Sequence, residues 1–208
     1  NEVLFRISGA WISRGNGQEH LTSIRSPVLT GAGGCGAFLM AQDSIPLRAT
    51  GFCNVNELFE SHSEIAERIE VIKGPGTALH GSNAMHGLVN IITPSMTDPG
   101  SSSQFETGVH GYNRVKHQQQ TRNWRVDASA TRDGGYKDDS GFGQQKLTAK
   151  ISNSVADFEV LTSISLSNLN QETSGFIKGD DAYANEAVKK SNPNPEAFRD
   201  ARSARLYS

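Results

Sequence analysis

The chain has 208 residues, and its 20 Lys and Arg against 22 Asp and Glu give a formal net charge of −2. This balance argues against a strongly basic nucleic-acid-binding protein. Hydrophobic residues make up only 36% of the chain and 21 residues are Gly, which does not suit a helical bundle. No run approaches the roughly 18 apolar residues of a membrane-spanning helix. Membrane-spanning strands remain allowed, because a barrel strand needs apolar residues on one face only.

Residues 1 to about 95 combine short apolar runs with turn residues, which predicts a small mixed domain. The spacing of Leu58, Phe59 and Ile65 predicts a short helix over 56–68. Two β-branched segments, Ile69–Ile72 and Leu88–Thr93, predict strands.

Glycine and proline punctuate the chain between these two strands. Gly74 and Pro75 predict a tight turn, followed by a helical turn over Thr77–His80. Gly81 and Gly87 then predict further breaks, and we interpret these glycines as backbone devices before any functional role.

The cysteines, Cys35 and Cys53, lie in a Gly-rich stretch with no His at the spacing of a zinc site. On spacing alone, a disulfide and two inert buried thiols are equally acceptable interpretations. No metal site is predicted.

From residue 96 to 103 the sequence turns to Ser, Asp, Pro and Gly, which predicts a linker between a domain 1–95 and a domain 104–208. Beyond the linker, apolar and polar residues alternate with the period of a strand. The predicted strands are 104–112, 114–122, 123–133, 146–152, 157–167 and 199–208.

The connections between these strands differ in length. Residues 153–156 form a short turn, whereas 170–198 form a long polar loop. Short turns on one side and long loops on the other are typical of outer-membrane barrels. A soluble β-sandwich, whose strands also alternate, is the other interpretation of the same pattern.

The segment from Glu67 to Thr93, reading ERIEVIKGPGTALHGSNAMHGLVNIIT, closely resembles the plug-domain signature of TonB-dependent outer-membrane receptors. His80 stands where that signature usually has Tyr, and His86 where it has the first Gly of a pair. Weaker matches follow the family order upstream: Ile24-Arg25-Ser26 resembles its I-R-G, and Asp43-Ser44-Ile45-Pro46-Leu47 its D-G-V-P-L.

The resemblance implies an α+β plug domain followed by the first antiparallel strands of a transmembrane β-barrel, which is truncated here. Because open sheet edges are costly in hydrocarbon, we expect an internal fragment of a receptor with roughly 22 strands. The implied location is the bacterial outer membrane, with the plug reachable from the periplasm. The implied partners are TonB, outer-membrane lipid and a small ligand such as a ferric siderophore or cobalamin.

The resemblance also suggests roles for particular residues. The plug loops Ser26–Gly36 and Arg48–Phe52 are expected to face the ligand, with Thr30, Arg48 and Phe52 as candidates. Cys35 and Cys53 border these loops, and in an oxidising periplasm we expect them to form a disulfide that pins the ligand-facing surface.

Family plugs carry basic residues that pair with barrel acids and lock the plug in place. Here the matching residues are Arg25, Arg68 and Lys73, although solvated strand charges are the plainer interpretation of Arg68 and Lys73. For His80 and His86 we expect packing or a hydrogen bond rather than metal ligation, because Fe(III) prefers oxygen donors.

No nucleophile elbow or acid/base pair predicts an enzyme, and no cofactor is expected. Energy-coupled import of a scarce ligand, most simply a ferric siderophore, is the function that the resemblance implies. A surface-binding or signal-transducing receptor of the same fold is the alternative, and a secreted β-rich enzyme would leave the plug signature unexplained.

Overall fold

The structure, a computed structural model, describes residues 6–14, 17–18, 20–25, 38–47, 59–81 and 84–208. The chain divides into two compact units, residues 1–94 (unit 1) and 95–208 (unit 2).

Unit 1 is built on a four-stranded sheet of order β4-β3-β6-β5, beside a separate antiparallel pair of strands. In the sheet, the central pair β3 and β6 is parallel, and each outer strand is antiparallel to its neighbour. The predicted helical turn is present as α1, and the two predicted strands are present as β5 and β6. The bounds are β1 Ala10–Arg14, β2 His20–Ile24, β3 Phe38–Gln42, β4 Ile45–Pro46, β5 Arg68–Lys73, α1 Thr77–His80 and β6 Gly87–Ile92.

The core of unit 1 lies against β3 and β6, whose residues are buried along almost their whole length. Parallel strands in the middle of a sheet are covered on both faces and are therefore apolar without alternation. Leu39, Ala41, Ala84 and Leu88 pack together in one buried cluster. A second buried cluster contains Ile12, Ile24, Phe38, Met40, Leu47, Val89 and Ile91.

The predicted helix over 56–68 is wrong in its described part. Residues Ser63–Ile65 form a single 3₁₀ turn, and β5 already begins at Arg68. The apolar spacing reflects burial of Phe59, which is 5% exposed, and packing of Ala66 on the core. Buried positions at helical spacing thus arise here from an irregular segment.

A polar network joins two of the sequence motifs. The turn between β3 and β4 places Asp43 and Ser44 at φ +50° and +68°. The Thr93 amide and hydroxyl donate to the Asp43 carboxylate at 2.9–3.0 Å. The Ser44 amide donates to Asn90 Oδ1 at 2.9 Å. The polar residues of both motifs therefore fasten this turn to β6.

Unit 2 is one antiparallel sheet of six strands in the order β12-β11-β10-β9-β8-β7, a meander in which every strand pairs with its sequence neighbours. Each predicted strand is present at least in part, and several are longer than predicted. The end of the first predicted strand is wrong, because residues 108–112 form a connection that contains a 3₁₀ turn. The bounds are β7 Gly100–Thr107, β8 Asn113–Gln120, β9 Trp124–Asp133, β10 Phe142–Val155, β11 Phe158–Glu172 and β12 Phe198–Tyr207.

The extra strand length comes from polar segments. β7 begins at Gly100, within the segment predicted as linker, and β10 and β11 extend to a turn at residues 156–157. The segment 168–172, rich in Asn and Gln, also belongs to β11 rather than to the following loop. Polar composition predicts loops at these segments, but in β9, β10 and β11 most side chains of one face are polar.

Connections at the two ends of the sheet differ in length. Residues 121–123 and 156–157 make the turns at one end. At the other end, which we call the long-loop end, lie residues 108–112, 134–141 and 173–197, the last with helix α2 Glu186–Lys190. The predicted asymmetry of the connections is therefore present. Among the described residues, no helix is long and apolar enough to cross a membrane.

Gly87, at the start of β6, provides the sharpest test of packing in unit 1. A Cβ at this position would lie 2.5 Å from the Ile72 carbonyl oxygen and 2.9 Å from Ile24 Cγ2. We expect Gly87→Ala to destabilise unit 1 by about 1–3 kcal/mol. Hydrogen exchange of the β5 and β6 amides in the whole chain should then become faster.

Gly100→Ala is the matched control, because a Cβ at Gly100 meets nothing within 4 Å. Unchanged exchange in Gly87→Ala, or equal effects of the two substitutions, would contradict the close approach.

Candidate functional site

Three neighbouring strands of the sheet in unit 2, β9, β10 and β11, share one buried and mostly polar face. Successive side chains of a strand point to opposite faces, and the polar set falls on the buried one. Each member of this set, which we call the polar face, is no more than 7% exposed: Arg125, Asp127, Ser129, Thr131, Gln144, Lys146, Thr148, Lys150, Ser163, Ser165, Ser167 and Gln171.

The opposite face, which we call the apolar face, is exposed. Cross-strand pairing aligns Ala128, Leu147, Leu166 and Ala204 in one row over four strands. Seven large side chains of this face are between 39% and 74% exposed: Phe105, Val115, Ile151, Phe158, Ile164, Leu166 and Leu206. This polarity is the inverse of a half-buried soluble sheet, and the sandwich interpretation does not account for it.

Arg125 is the centre of a cluster on the polar face. Its guanidinium donates to both Asp127 oxygens, at 2.6 and 2.7 Å, and the two side chains are 3% and 1% exposed. It also donates to Gln118 Oε1 at 2.8 Å and to Gln120 Oε1. Four charge-assisted hydrogen bonds thus offset the desolvation of the guanidinium.

The loops of the long-loop end are tied to one another. His110 and Tyr136 make an edge-to-face ring contact, with centroids 5.4 Å apart. Lys137 Nζ donates to the Gly175 carbonyl at 2.7 Å. Lys189 bonds Glu186, which raises the pKa of Lys189 and lowers the pKa of Glu186. The loops therefore present one connected surface.

The predicted ligand-facing and disulfide residues lie outside the described residues. This applies to Thr30, Arg48, Phe52, Cys35 and Cys53. Their roles stay predictions.

The three predicted lock residues all lie in unit 1 and are exposed. Arg68 Nε donates to Glu70 Oε1 at 2.8 Å, and this hydrogen bond raises the pKa of Arg68. Lys73 Nζ donates to the Ser8 carbonyl oxygen at 3.0 Å. The Arg25 amide donates to the Gly9 carbonyl, and its backbone has φ +50°. Arg68 thus forms an exposed ion pair of modest strength, and Lys73 forms an exposed hydrogen bond to the backbone.

The turn residues occupy the conformations that their types allow. Gly74 has φ +130° and Gly81 φ +84°, both left-handed conformations that a Cβ disfavours. Between them, Pro75 is exposed and α1 begins at Thr77. This geometry is compatible with the predicted turns at Gly74 and Gly81. The predicted break at Gly87 is wrong, because Gly87 is the first residue of β6 and its missing side chain permits the close approach of Ile72 and Ile24.

His80 and His86 are partly buried near this turn. In the part of the chain that the structure describes, no three or more His, Cys, Asp or Glu come together in a group that could hold a metal ion.

The Arg125 cluster was missed by sequence reasoning. Alternation places Arg125 and Asp127 among the polar positions of the predicted strand 123–133, and Gln118 lies in a predicted strand that is polar on both faces. An Arg and an Asp two residues apart share a strand face, and this spacing is the signal that could have revealed the pair.

No family model matches the sequence. Among solved structures, the chain is similar to the unliganded ferric citrate transporter FecA, with TM-score 0.71 and 18% identity over 92% of this chain and 31% of that one. It is similar to the pyoverdine outer membrane receptor FpvA from Pseudomonas aeruginosa PAO1, bound to pyoverdine, with TM-score 0.67 and 16% identity over 87% and 27%. It is also similar to the copper transporter OprC, with TM-score 0.65 and 16% identity over 83% and 28%.

These structures are TonB-dependent receptors, so the resemblance carried by the motifs is confirmed at the level of the fold. The chain spans less than a third of the length of each of these three.

A substitution at Asp127 tests how much the buried ion pair with Arg125 contributes to the stability of unit 2. Removing one member of a buried ion pair leaves the other charge uncompensated, so we expect Asp127→Ala to lower the free energy of unfolding by about 3–5 kcal/mol. Urea unfolding of the whole chain in detergent micelles measures this loss.

Two controls accompany that measurement. The double variant Arg125→Met with Asp127→Leu removes both charges and should regain most of the stability. Asp157→Ala removes an exposed acid from a turn of the same sheet and should have little effect. An Asp127→Ala protein as stable as Asp157→Ala would refute the importance of the pair.

Proposed function

We propose that the chain is the plug and the first six barrel strands of a TonB-dependent outer-membrane receptor that imports a scarce ligand, in the first instance a ferric siderophore. The observation that carries this proposal is the inverted polarity of unit 2, together with the fold of its neighbours. An exposed apolar face and a polar face withdrawn from solvent suit a wall between lipid and a polar lumen.

The dimensions of the apolar face support a membrane location. On β11 the apolar residues run from Phe158 to Leu166, about 27 Å at ~3.4 Å per residue. A strand tilted by about 40° converts this length to a height of ~20 Å, close to the ~25 Å band of outer-membrane barrels.

The apolar residues also shift along the strands in the manner of a tilted sheet. Val115 on β8 aligns through Ala130 and Gln145 with Asn168 on β11. On β11 the apolar residues begin two positions nearer the short turn, at Leu166. The shift is two residues over the three strand steps from β8 to β11, whereas a tilt of about 40° displaces a level band by about one residue per strand, or about three over those steps.

Within the described part of the chain, β7 and β12 are the two edge strands of the sheet. Unpaired N–H and C=O groups are costly in hydrocarbon, so we propose that further strands close the wall in the membrane. In this proposal unit 1 is the plug domain, and TonB is its energising partner. Arg25, Arg68 and Lys73 pair with acidic residues of the barrel and so hold the plug in place.

The neighbours support transport without chemistry on the cargo. They are named for ferric citrate, pyoverdine and copper, and we infer an iron chelate as the default ligand here. A receptor of the same fold that binds or signals without import is the alternative.

The test is uptake of radioactive iron by cells that express the full reading frame containing this chain. Ferric citrate, ferrichrome and ferripyoverdine serve as probes, with labelled cobalamin as a separate arm. We expect accumulation of one probe in energised cells, and loss of accumulation, with binding retained, after deletion of TonB or addition of a protonophore. Binding without accumulation would favour the alternative, and accumulation that is indifferent to TonB would overturn the proposal.

The proposed Cys35 and Cys53 bridge has its own test. In receptor purified from outer membranes, we expect both thiols to resist alkylation until a reductant is added. Receptor that is alkylated at both positions without reductant would refute the bridge. If the bridge pins the ligand-facing surface, Cys35→Ser should weaken binding of the transported probe; unchanged affinity would remove that role.

A further inference from the structure

A groove of about 720 Å³ lies in unit 2 where the strands reach the long-loop end. Its lining includes Asn113, Arg132, Gly143, Gln145, Asn170 and Asp200. Their positions in the strands place these residues on the apolar face, beyond the row of Ala128, Leu147, Leu166 and Ala204. Thr131 and Gln171 of the polar face also border the groove, whereas its lining contains none of the residues of the Arg125 cluster.

The groove is hollow at Gly143, which has no side chain. It pairs with Arg132 on one side and with Asn170 on the other, so its missing side chain leaves a gap between two polar neighbours. A Cβ at Gly143 would meet only Gln145 Nε2, at 3.9 Å. The gap is therefore a free volume and not a close backbone approach.

Hydrogen-bond donors face this gap. The side chain of Arg132 makes no hydrogen bond or ion pair within the described residues. Gln145 Oε1 accepts from Asn168 at 2.7 Å, which orients the amide and leaves Nε2 directed to the hollow. Both groups retain free N–H donors.

Acceptors lie beside these donors. Asn170 Nδ2 donates to Asp200 Oδ1 at 2.8 Å, and Asn168 donates to Asn170 Oδ1 at 3.1 Å. These bonds fix the two side chains, and the second carboxylate oxygen of Asp200 still has lone pairs to accept. Donors and acceptors thus alternate around one hollow.

The charge of the lining selects the class of ligand. On the apolar face, Glu172 and Asp200 against Arg132 give one positive and two negative groups, a net of −1, which disfavours a phosphate. Hydroxyl groups both donate and accept, so they match a mixed set of fixed donors and acceptors. Phe198, 71% exposed at the edge of the groove, adds a flat apolar surface on which a sugar ring can lie.

The surface beside the groove indicates that this ligand is part of a lipid. Next to Gln145 and Asn170 the same face continues as Leu147, Leu166 and Ile164, a surface suited to acyl chains. We propose that the groove binds the neutral saccharide headgroup of a glycolipid in the membrane leaflet at the long-loop end. This inference rests on the proposed membrane location of the sheet.

The experiment uses the whole receptor, reconstituted in phosphatidylcholine nanodiscs that contain digalactosyl diacylglycerol and phosphatidylglycerol in equal minor amounts. Native mass spectrometry counts the lipids that remain bound when the protein leaves the nanodisc. We expect digalactosyl diacylglycerol to be retained preferentially. Gly143→Leu, which fills the hollow, should lower that retention about tenfold, the effect of losing one to two hydrogen bonds.

Ala149→Leu is the matched control, because Ala149 lies on the same strand and the same face, away from the groove. It should retain the glycolipid as the unchanged protein does. Equal retention by Gly143→Leu and Ala149→Leu would overturn the inference, and so would preferential retention of phosphatidylglycerol. Displacement of the glycolipid by free digalactose at equal concentration would overturn the lipid source in favour of a soluble saccharide.

The two proposals fail in different ways. If the sheet does not insert in a bilayer, the receptor will be absent from the nanodiscs, and both the proposed function and the groove inference fail. If the receptor inserts and transports its probe but shows no preference for the glycolipid, only the groove inference fails.

Discussion

Unit 2 depends on one constraint: a polar group withdrawn from water must find a hydrogen-bond partner, whereas apolar side chains may face an apolar medium at no cost. At the Arg125 cluster the sheet satisfies the first condition with side chains from neighbouring strands. Arg125 on β9 reaches Gln118 and Gln120 on β8 as well as Asp127 on its own strand. Such pairing fixes which face is turned inward, because a one-residue slip of a strand would send Asp127 to the opposite face.

Alternation in the sequence predicted which residues share a face, and the strands of unit 2 follow it closely. It could not predict which face is buried. An isolated strand such as Trp124–Asp133 has the same period in a soluble sandwich and in a membrane wall. The long plug-like motif in unit 1 favoured the second reading, and the exposed apolar face of β11 agrees with it.

Unit 1 shows why motifs predicted more than periodicity did. The Asp43-Ser44 turn and the Asn90–Thr93 segment are distant in sequence but bond each other, so the two motifs describe one contact. The periodicity of apolar residues alone predicts a helix over 56–68. The structure instead has an irregular segment there, in which Phe59 is buried. Burial at a few positions does not distinguish a helix from a turn that packs on a sheet.

The candidate sites were the least predictable part, for a physical reason. A site made by cross-strand neighbours depends on register, and register follows from turns and pairings that a single strand does not reveal. Gly143 is one glycine among 21 in the sequence, and only its pairing with Arg132 and Asn170 turns it into a hollow between polar groups. The same pairing leaves the polar face continuous behind it, since removing one outward side chain from a strand does not disturb the inward ones. A sheet can therefore carry a pocket on its apolar face without weakening the network on the other, and the two faces are free to serve separate functions.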